Sequence, residues 1–238
     1  MKAVNNQQLK DEFAELSTPL VADAIIRTGI APRMIPSGIQ SLISGARIAG
    51  RVIPARHYGS VDVFFDALAL AQAGDILVID NQGRMDEGCV GDLAALEAQA
   101  SGIGGMIVWG CHRDTGELLE IGLPIFSYGT CPFGPMRLEA REAEVFSTAR
   151  FGSIEVELGD VVFADDDGVL FVPSDHVEEL VSIAHKIRAT EREQAQAVAN
   201  GRTLREQLQF NEYLEKREEC PAYTFREHLR DIGGAIEE

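Results

Sequence analysis

The sequence is poor in lysine and in cysteine, and it lacks long apolar runs. Its 238 residues include four lysines and four cysteines, and no apolar segment approaches the roughly 18 residues of a membrane-spanning helix. The cysteines form no CxxC pair and no dense pattern, which argues against a disulfide scaffold or a zinc ribbon. The first residues also lack the apolar core of a signal peptide. We therefore expect reduced thiols, a cytoplasmic location and no membrane attachment.

Basic residues are scarce relative to acidic ones. The chain has 21 Lys plus Arg against 38 Asp plus Glu, which gives a net charge of −17. Such a charge repels phosphate backbones and anionic lipids, so the composition disfavours a nucleic-acid or membrane-surface function. An anionic ligand therefore needs local positive potential from an arginine, a metal ion or a helix N-terminus.

The most informative stretch is residues 90–118, VGDLAALEAQASGIGGMIVWGCHRDTGEL. Gly91 and Asp92 open a predicted helix, because apolar residues recur at helical spacing behind a favoured capping residue. Closely spaced glycines end this helix, and the apolar run MIVW then predicts a buried strand. The strand delivers Arg113 and Asp114 at its carboxyl end, where α/β sheets bind their ligands. The helix start and the strand end are thus expected to lie side by side.

The rest of the chain alternates short helices and strands, which indicates an α/β fold. Charged, helix-prone sequence follows residue 190 and is expected to pack on the body or on a neighbouring subunit. We therefore predict a domain over 1–190 and a helical extension over 191–238. The predicted helices cover 7–28 with a break at Ser17–Pro19, 61–73 and the region from Ser174. The predicted strands cover 46–54, 75–80, 123–128, 154–158, 161–163 and 168–172, with a turn at 81–84.

Several other groups favour structural interpretations. The segment DDDG at 165–168 lacks the ligand spacing of a calcium loop and predicts a hairpin turn. The segment GIGG follows a helix and precedes a strand, the reverse of a dinucleotide-binding turn. His112 is a candidate general base, although a strand-end histidine is the commoner case. Schiff-base catalysis is disfavoured because none of the four lysines ends an apolar strand; they are Lys2, Lys10, Lys186 and Lys216.

The spacing of Asp92, twenty residues, then Arg113 and Asp114 carries a family resemblance. The pattern has GDLA at its head and GxxRD at its foot, and the motifs LGDVV, DGV and VP follow in the second half. Over roughly residues 15–190 it resembles the RraA-like family, which contains 4-hydroxy-4-methyl-2-oxoglutarate and 4-carboxy-4-hydroxy-2-oxoadipate aldolases and the regulator of ribonuclease activity A. The regulator branch replaces the second residue of RD, so Asp114 favours the enzyme branch.

The resemblance implies a layered ββα sandwich of the swivelling-domain type, assembled as a homotrimer or a dimer of trimers. It implies a class II aldolase in which Asp114 coordinates Mg²⁺ or Mn²⁺ and Arg113 binds the C2 carbonyl oxygen of the substrate. The Asp92 side chain would hold a water of the metal shell. The substrate carboxylate would be bound by the backbone of Gly91, Asp92, Leu93 and Ala94.

The resemblance also implies a glutamate near the metal from a neighbouring subunit. The extension departs from short family members, so three glutamates remain candidates: Glu191, Glu193 and Glu206. A second substrate carboxylate could be bound by basic loop residues, for which the candidates are Arg33, Arg56, His57 and Arg84.

The expected function is metal-dependent retro-aldol cleavage of 4-hydroxy-2-oxo dicarboxylic acids, releasing pyruvate. Oxaloacetate decarboxylation should accompany it, because both reactions pass through the pyruvate enolate, whose charge meets the metal and Arg113. One alternative is a non-catalytic regulator that binds a basic surface of a partner protein. Another is a metal-dependent lyase that acts on different 2-oxo or hydroxy acids.

Overall fold

The computed structural model describes residues 5–233, in which ten strands and nine α-helices follow one another. The strands are β1 (Arg33–Met34), β2 (Gln40–Ser41), β3 (Ile48–Arg56), β4 (Ile76–Val90), β5 (Gly105–His112), β6 (Ile125–Ser127), β7 (Thr148–Phe151), β8 (Ile154–Glu157), β9 (Val161–Asp165) and β10 (Gly168–Val172). The helices are α1 (Asn6–Ala14), α2 (Thr18–Thr28), α3 (Asp62–Leu70), α4 (Asp92–Ala100), α5 (Thr115–Ile121), α6 (Val177–Ala199), α7 (Leu204–Gln207), α8 (Phe210–Glu219) and α9 (Phe225–Ile232).

Eight of these strands form one mixed sheet in the order β1-β10-β9-β3-β4-β5-β6-β2. Strands β3 to β6 run parallel, and α3, α4 and α5 connect them in turn. Strand β3 also pairs with β9 in the antiparallel direction, so it joins the parallel half of the sheet to the antiparallel half. The carboxyl ends of β4 and β5 therefore meet at one edge of the parallel half.

The main sheet has two buried faces because apolar residues point to both sides of its strands. On β4, Leu77 and Ile79 pack with α3, α4 and α5, whereas Ile76 and Val78 pack with the β7–β8 hairpin. Helices α1, α2 and α6 cover the antiparallel half on the helical side, against residues such as Phe163. Two strand layers and one helix layer result, which confirms the predicted ββα sandwich.

The predicted break in the first helical region lies where the structure divides α1 from α2. Pro19 stands in the first turn of α2, a position that needs no N–H donor. Ser17 makes no side-chain cap there. Instead, the Thr18 N–H and hydroxyl donate to the buried Asp165 carboxylate at 2.9 and 2.5 Å. This contact fixes the start of α2 to the β9–β10 hairpin.

Strand β4 differs most from the sequence prediction, because it continues to Val90 where a turn was expected at 81–84. Gln82 and Gly83 adopt positive φ angles of 59° and 69°. The register with β5 shifts between Asp80 and Arg84 and again further on. The predicted turn is thus a bulge that bends the chain without ending the pairing. Helix α5 and strand β7 were also not predicted, and α6 begins at Val177 after a 3₁₀ turn over Ser174–His176.

The charged C-terminal sequence forms the second half of α6 and the helices α7, α8 and α9. Helix α6 runs continuously through residue 190. Helices α8 and α9 pack around Tyr213 and the buried His228, whose Nε2 lies 2.9 Å from the Leu208 carbonyl oxygen. The first residues of the predicted domain, 1–4, and the last residues of the predicted extension, 234–238, lie outside the described residues. None of the helices within 5–233 is long and apolar enough to cross a membrane.

Candidate active site at the start of α4

The structure brings the GDLA and RD motifs together at the carboxyl edge of the parallel strands. Val90, the last residue of β4, pairs with His112, the last residue of β5. The Arg113 N–H donates to the Val90 carbonyl at 2.8 Å. One residue further on, the Asp92 N–H donates to Asp114 Oδ2 at 3.3 Å. The helix start and the strand end therefore lie side by side, as the sequence indicated.

Arg113 and Asp114 form an ion pair with 3.3 Å between Nε and Oδ2. The two side chains are 46% and 33% exposed, so the pair contributes little to folding stability. Asp114 takes the left-handed conformation, with φ 59° and ψ 43°, and it stands at the start of α5. A non-glycine residue in this region carries local strain, and such strain concentrates at functional sites.

The first turn of α4 presents backbone N–H groups, but two of them already have acceptors within the chain. Asp92 N–H donates to Asp114, and Leu93 N–H donates to the Asp92 carboxylate at 2.7 Å. Gly91 is the N-cap residue and makes no side-chain cap. A substrate carboxylate bound at this helix start would replace the side-chain carboxylates that now accept these bonds.

His112 is buried and its two ring nitrogens both have neighbours. Nδ1 lies 2.7 Å from Ser127 Oγ, and Nε2 lies 3.2 Å from Thr115 Oγ1. Burial lowers the pKa of His112, which favours the neutral ring. Because both nitrogens are engaged, His112 is a structural tie between β5, β6 and α5, the commoner case foreseen from the sequence.

The basic residues considered for a second carboxylate are engaged elsewhere. Arg33 makes two bonds to Asp160, at 2.7 and 3.0 Å. Arg56 binds Glu142 at 2.7 Å. His57 is buried against Asn81, and Arg84 contacts Asp86 and Glu87. Each has an intramolecular partner that a substrate would have to replace.

The lysines occupy positions that do not suit a Schiff base. Lys10, Lys186 and Lys216 lie on the helices α1, α6 and α8, and none ends a strand. Lys2 lies outside the described residues.

All four cysteines are free, and three of them are buried. Burial raises the pKa of Cys89 and Cys111, so these thiols are protonated at neutral pH.

Sequence reasoning missed a polar cluster beside the β4 bulge. Arg137 Nε donates to Glu87 Oε1 at 3.1 Å, and Arg137 Nη2 donates to Asn81 Oδ1 at 2.9 Å. Asn81 also lies 2.8 Å from His57 Nδ1. The single available signal was the turn-rich segment GTCPFGP at 129–135, which returns the chain to this edge of the sheet.

The carboxylates of the site suit a hard cation. Within residues 5–233, no group of three or more His, Cys, Asp or Glu side chains is placed to hold a metal ion. Asp114 and Asp92 nevertheless stand together at a partly exposed edge, and Mg²⁺ typically uses one or two carboxylates and keeps several waters. The donor set therefore fits Mg²⁺ or Mn²⁺ with water and substrate oxygens, and it does not fit a structural zinc site.

Comparison with known proteins agrees with the fold and the motifs. The model of the RraA-like family, which is described as Aldolase/RraA, matches residues 18–171 of this chain. The chain belongs to this family, and the resemblance drawn from the GDLA and RD motifs is confirmed at that level.

Two relatives illustrate the range of the family. Protein DlpA of Legionella pneumophila is 30% identical over 206 residues, which cover 82% of this chain and 32% of DlpA. A protein of Alkalilimnicola ehrlichii named "Putative 4-hydroxy-4-methyl-2-oxoglutarate aldolase" is 31% identical over 124 residues, or 52% of this chain and 76% of that protein. The chain thus spans about a third of DlpA and three quarters of the second relative.

Among solved structures, RraAS2 of Streptomyces coelicolor is described as an unusual member of the RNase ES inhibitor RraA protein family. It superposes with a TM-score of 0.67 and 26% identity, covering 81% of this chain and 97% of that one. This chain is thus similar both to a relative named for an aldolase and to a solved structure described as a member of an inhibitor family. The fold alone does not distinguish an aldolase from an inhibitor, so the function has to be argued from the residues of the site.

Proposed function

We propose that this protein cleaves 4-hydroxy-2-oxo dicarboxylic acids by a metal-dependent retro-aldol reaction that releases pyruvate. The candidate substrates are of the 4-hydroxy-4-methyl-2-oxoglutarate or 4-carboxy-4-hydroxy-2-oxoadipate type. The observation that carries the proposal is the contact of Asp114 Oδ2 with both the Arg113 guanidinium and the Asp92 N–H, each at 3.3 Å. A cation, a carboxylate and a helix N-terminus thus converge on one point.

Different residues of the site bind different groups of the substrate. Arg113 offers its guanidinium to the C2 carbonyl oxygen, and the first turn of α4 offers N–H groups to the adjacent carboxylate. Asp114, with Asp92 beside it, would hold Mg²⁺ or Mn²⁺. When bound, the cation supplies Lewis-acid polarisation of the 2-oxo group.

The bond changes follow from this arrangement. The C4 hydroxyl proton passes to the Asp92 carboxylate, directly or through a water that Asp92 holds. The C3–C4 bond breaks, the C4 carbon becomes a carbonyl, and the electron pair moves onto the C2 oxygen as an enolate. Arg113 faces this oxygen and favours the developing charge more than the neutral ground state. A proton added at C3 then completes pyruvate.

Oxaloacetate decarboxylation is expected at the same site. Loss of CO₂ from oxaloacetate leaves the same enolate, so Arg113 stabilises both reactions. The name of the Alkalilimnicola ehrlichii relative supports the aldolase assignment. Three free, buried cysteines suit a cytoplasmic protein with reduced thiols.

We further propose a homotrimer or a dimer of trimers in which neighbouring copies cover the apolar rim of the site. Leu93 is 75% exposed, and Leu96 on α4 and Leu119 on α5 are also exposed. Glu191 and Glu193 on α6 remain candidates for a ligand from a neighbouring subunit. Glu206 instead belongs to the capping box of α7, where its carboxylate accepts a hydrogen bond from the Thr203 N–H. This bond makes Glu206 less available as a metal ligand. Light scattering coupled to gel filtration tests the assembly.

A regulator that binds a protein partner is the second candidate function. The likeness to RraAS2, described as a member of an RNase inhibitor family, favours it. The net charge of −17 would attract a basic surface on the partner.

One experiment separates the two functions. Pyruvate release is measured from oxaloacetate and from 4-hydroxy-4-methyl-2-oxoglutarate, with Mg²⁺ or Mn²⁺ and again after chelation, and the metal-only rate is subtracted. Chelator-sensitive release from both supports the aldolase. If neither substrate reacts faster than with metal alone, the aldolase proposal fails and partner capture becomes the next test.

A further inference from the structure

Gly134 lies directly against the guanidinium of Arg113. A Cβ built on Gly134 would stand 2.8 Å from Arg113 Nη1, whereas ordinary contacts begin near 3.4 Å. Gly134 has no positive φ angle, so backbone strain does not require a glycine here. A Cβ at this position would instead push the Arg113 guanidinium aside.

The segment that carries Gly134 is anchored on both sides. The Phe133 carbonyl accepts a bond from the Gly88 N–H of β4 at 2.7 Å. On the other side, Arg137 Nε donates to the buried Glu87 carboxylate at 3.1 Å. A residue between two such anchors cannot withdraw freely from its neighbour. The backbone at position 134 is therefore held in place beside Arg113.

Arg113 is the movable partner in this contact. Its side chain is 46% exposed, and within residues 5–233 its one ion pair is with Asp114. A long side chain with a single partner keeps several rotamers unless a neighbour restricts them. A Cβ at position 134 would therefore displace the exposed guanidinium rather than the anchored backbone.

We propose that Gly134 is a positioning residue that sets the direction of the Arg113 guanidinium. The inference rests on the proposed function, in which Arg113 faces the C2 oxygen of the substrate. Because a misplacement of about 1 Å can cost about a hundredfold in rate, the position of Arg113 matters as much as its charge. Gly134 contributes by having no side chain.

The first test is Gly134→Ala, with Gly116→Ala as the matched control. A Cβ on Gly116, in α5, meets no heavy atom within 4 Å. For Gly134→Ala we expect an unchanged melting temperature and a fall in kcat/KM for oxaloacetate of about ten- to a hundredfold. Gly116→Ala should stay within about twofold of the parent. Equal activity of both variants and the parent would overturn the proposal.

A double-mutant cycle then shows whether Gly134 acts through Arg113. In an Arg113→Ala background there is no guanidinium to displace, so adding Gly134→Ala should change kcat/KM by less than about twofold. The same fold loss in both backgrounds would mean that Gly134 acts by another route, and the assignment would be wrong.

An NMR measurement separates this inference from the proposed function. The ¹⁵Nε–Hε signal of Arg113 is assigned by its loss in Arg113→Ala. It should shift in Gly134→Ala and stay in place in Gly116→Ala, whether or not the protein releases pyruvate. An unshifted signal in Gly134→Ala overturns the positioning role. A shifted signal in a protein that releases no pyruvate supports the contact and rejects the aldolase instead.

Discussion

The Asp114 carboxylate lies so close to Gly91 that no side chain fits between them. A Cβ on Gly91 would stand 2.3 Å from Asp114 Oδ2 and 3.2 Å from Arg113 Nε. Gly91 itself is extended, with φ −129° and ψ −171°, a conformation open to any residue. The glycine is needed for proximity, because it allows the start of α4 to approach the carboxylate.

Gly91→Ala should therefore displace Asp114 and weaken metal-dependent turnover. We expect kcat/KM for oxaloacetate to fall at least about tenfold, with a higher Mg²⁺ or Mn²⁺ concentration at half-maximal rate. The measurement is the initial rate of pyruvate release across a metal titration. A metal titration curve equal to that of the parent would contradict the role given to this contact.

Asp114→Asn should abolish metal-dependent turnover while leaving the fold intact. The amide keeps the size of the side chain but loses the charge that a hard cation needs. Because the side chain is 33% exposed and its ion pair is weak, the melting temperature should change little. The control is Asp86→Asn, which alters a carboxylate that is 69% exposed and paired with Arg84. Pyruvate release by Asp114→Asn at the parent rate would remove Asp114 from the metal site.

Arg113→Ala should lower kcat by about a hundredfold or more, since one donor to a developing oxyanion is lost. Its effect on stability should be small, because the guanidinium is nearly half exposed. Lys186→Ala serves as the control cation and should retain full activity. A borohydride-trapped adduct on Lys186 would replace this enolate mechanism with a Schiff base.

The free energy of unfolding should fall as the pH drops below about 6.5. Burial lowers the pKa of His57, and the nearby Arg137 charge acts in the same direction. The unfolded chain then binds more protons than the folded chain, so acidification favours unfolding. His57→Phe should flatten this dependence between pH 8 and 5 in urea titrations.

Asp75→Ala should destabilise the protein by about 3 kcal/mol, because it leaves charged and polar partners without an acceptor. The Asp75 carboxylate is fully buried and accepts bonds from Arg51 Nε and Asn6 Nδ2, both at 2.9 Å. Urea unfolding measures the change. Asp86→Asn, at an exposed position, should change the free energy of unfolding by less than about 0.5 kcal/mol.

The parts of the fold that could be predicted depend on local signals. Apolar runs marked β3 and β5, Pro19 marked the start of α2, and the spacing of Asp92 from Arg113 marked the family. Each of these signals lies within a few residues or within a motif of fixed spacing. They sufficed to place the helix start and the strand end side by side.

The parts that could not be predicted depend on distant contacts. The bulge in β4 requires positive φ angles at Gln82 and Gly83, while Gly83 packs on the Trp109 indole of the next strand. The anchoring of Arg137 to Glu87 joins residues fifty positions apart. Nothing in the local sequence around Gly134 indicates that it contacts Arg113, because this contact forms only when the sheet brings the two segments together.

The pairing of β3 with both halves of the sheet has a consequence for synthesis of the chain. Ile48 pairs with Ala164, more than a hundred residues later. At about 5–20 residues per second, one edge of β3 waits roughly 6 to 23 seconds on the ribosome for β9 to emerge. An open strand edge of this kind invites pairing with other nascent chains. The growing polypeptide therefore passes through a window in which its central strand is half covered, and that window closes when the β9–β10 hairpin arrives.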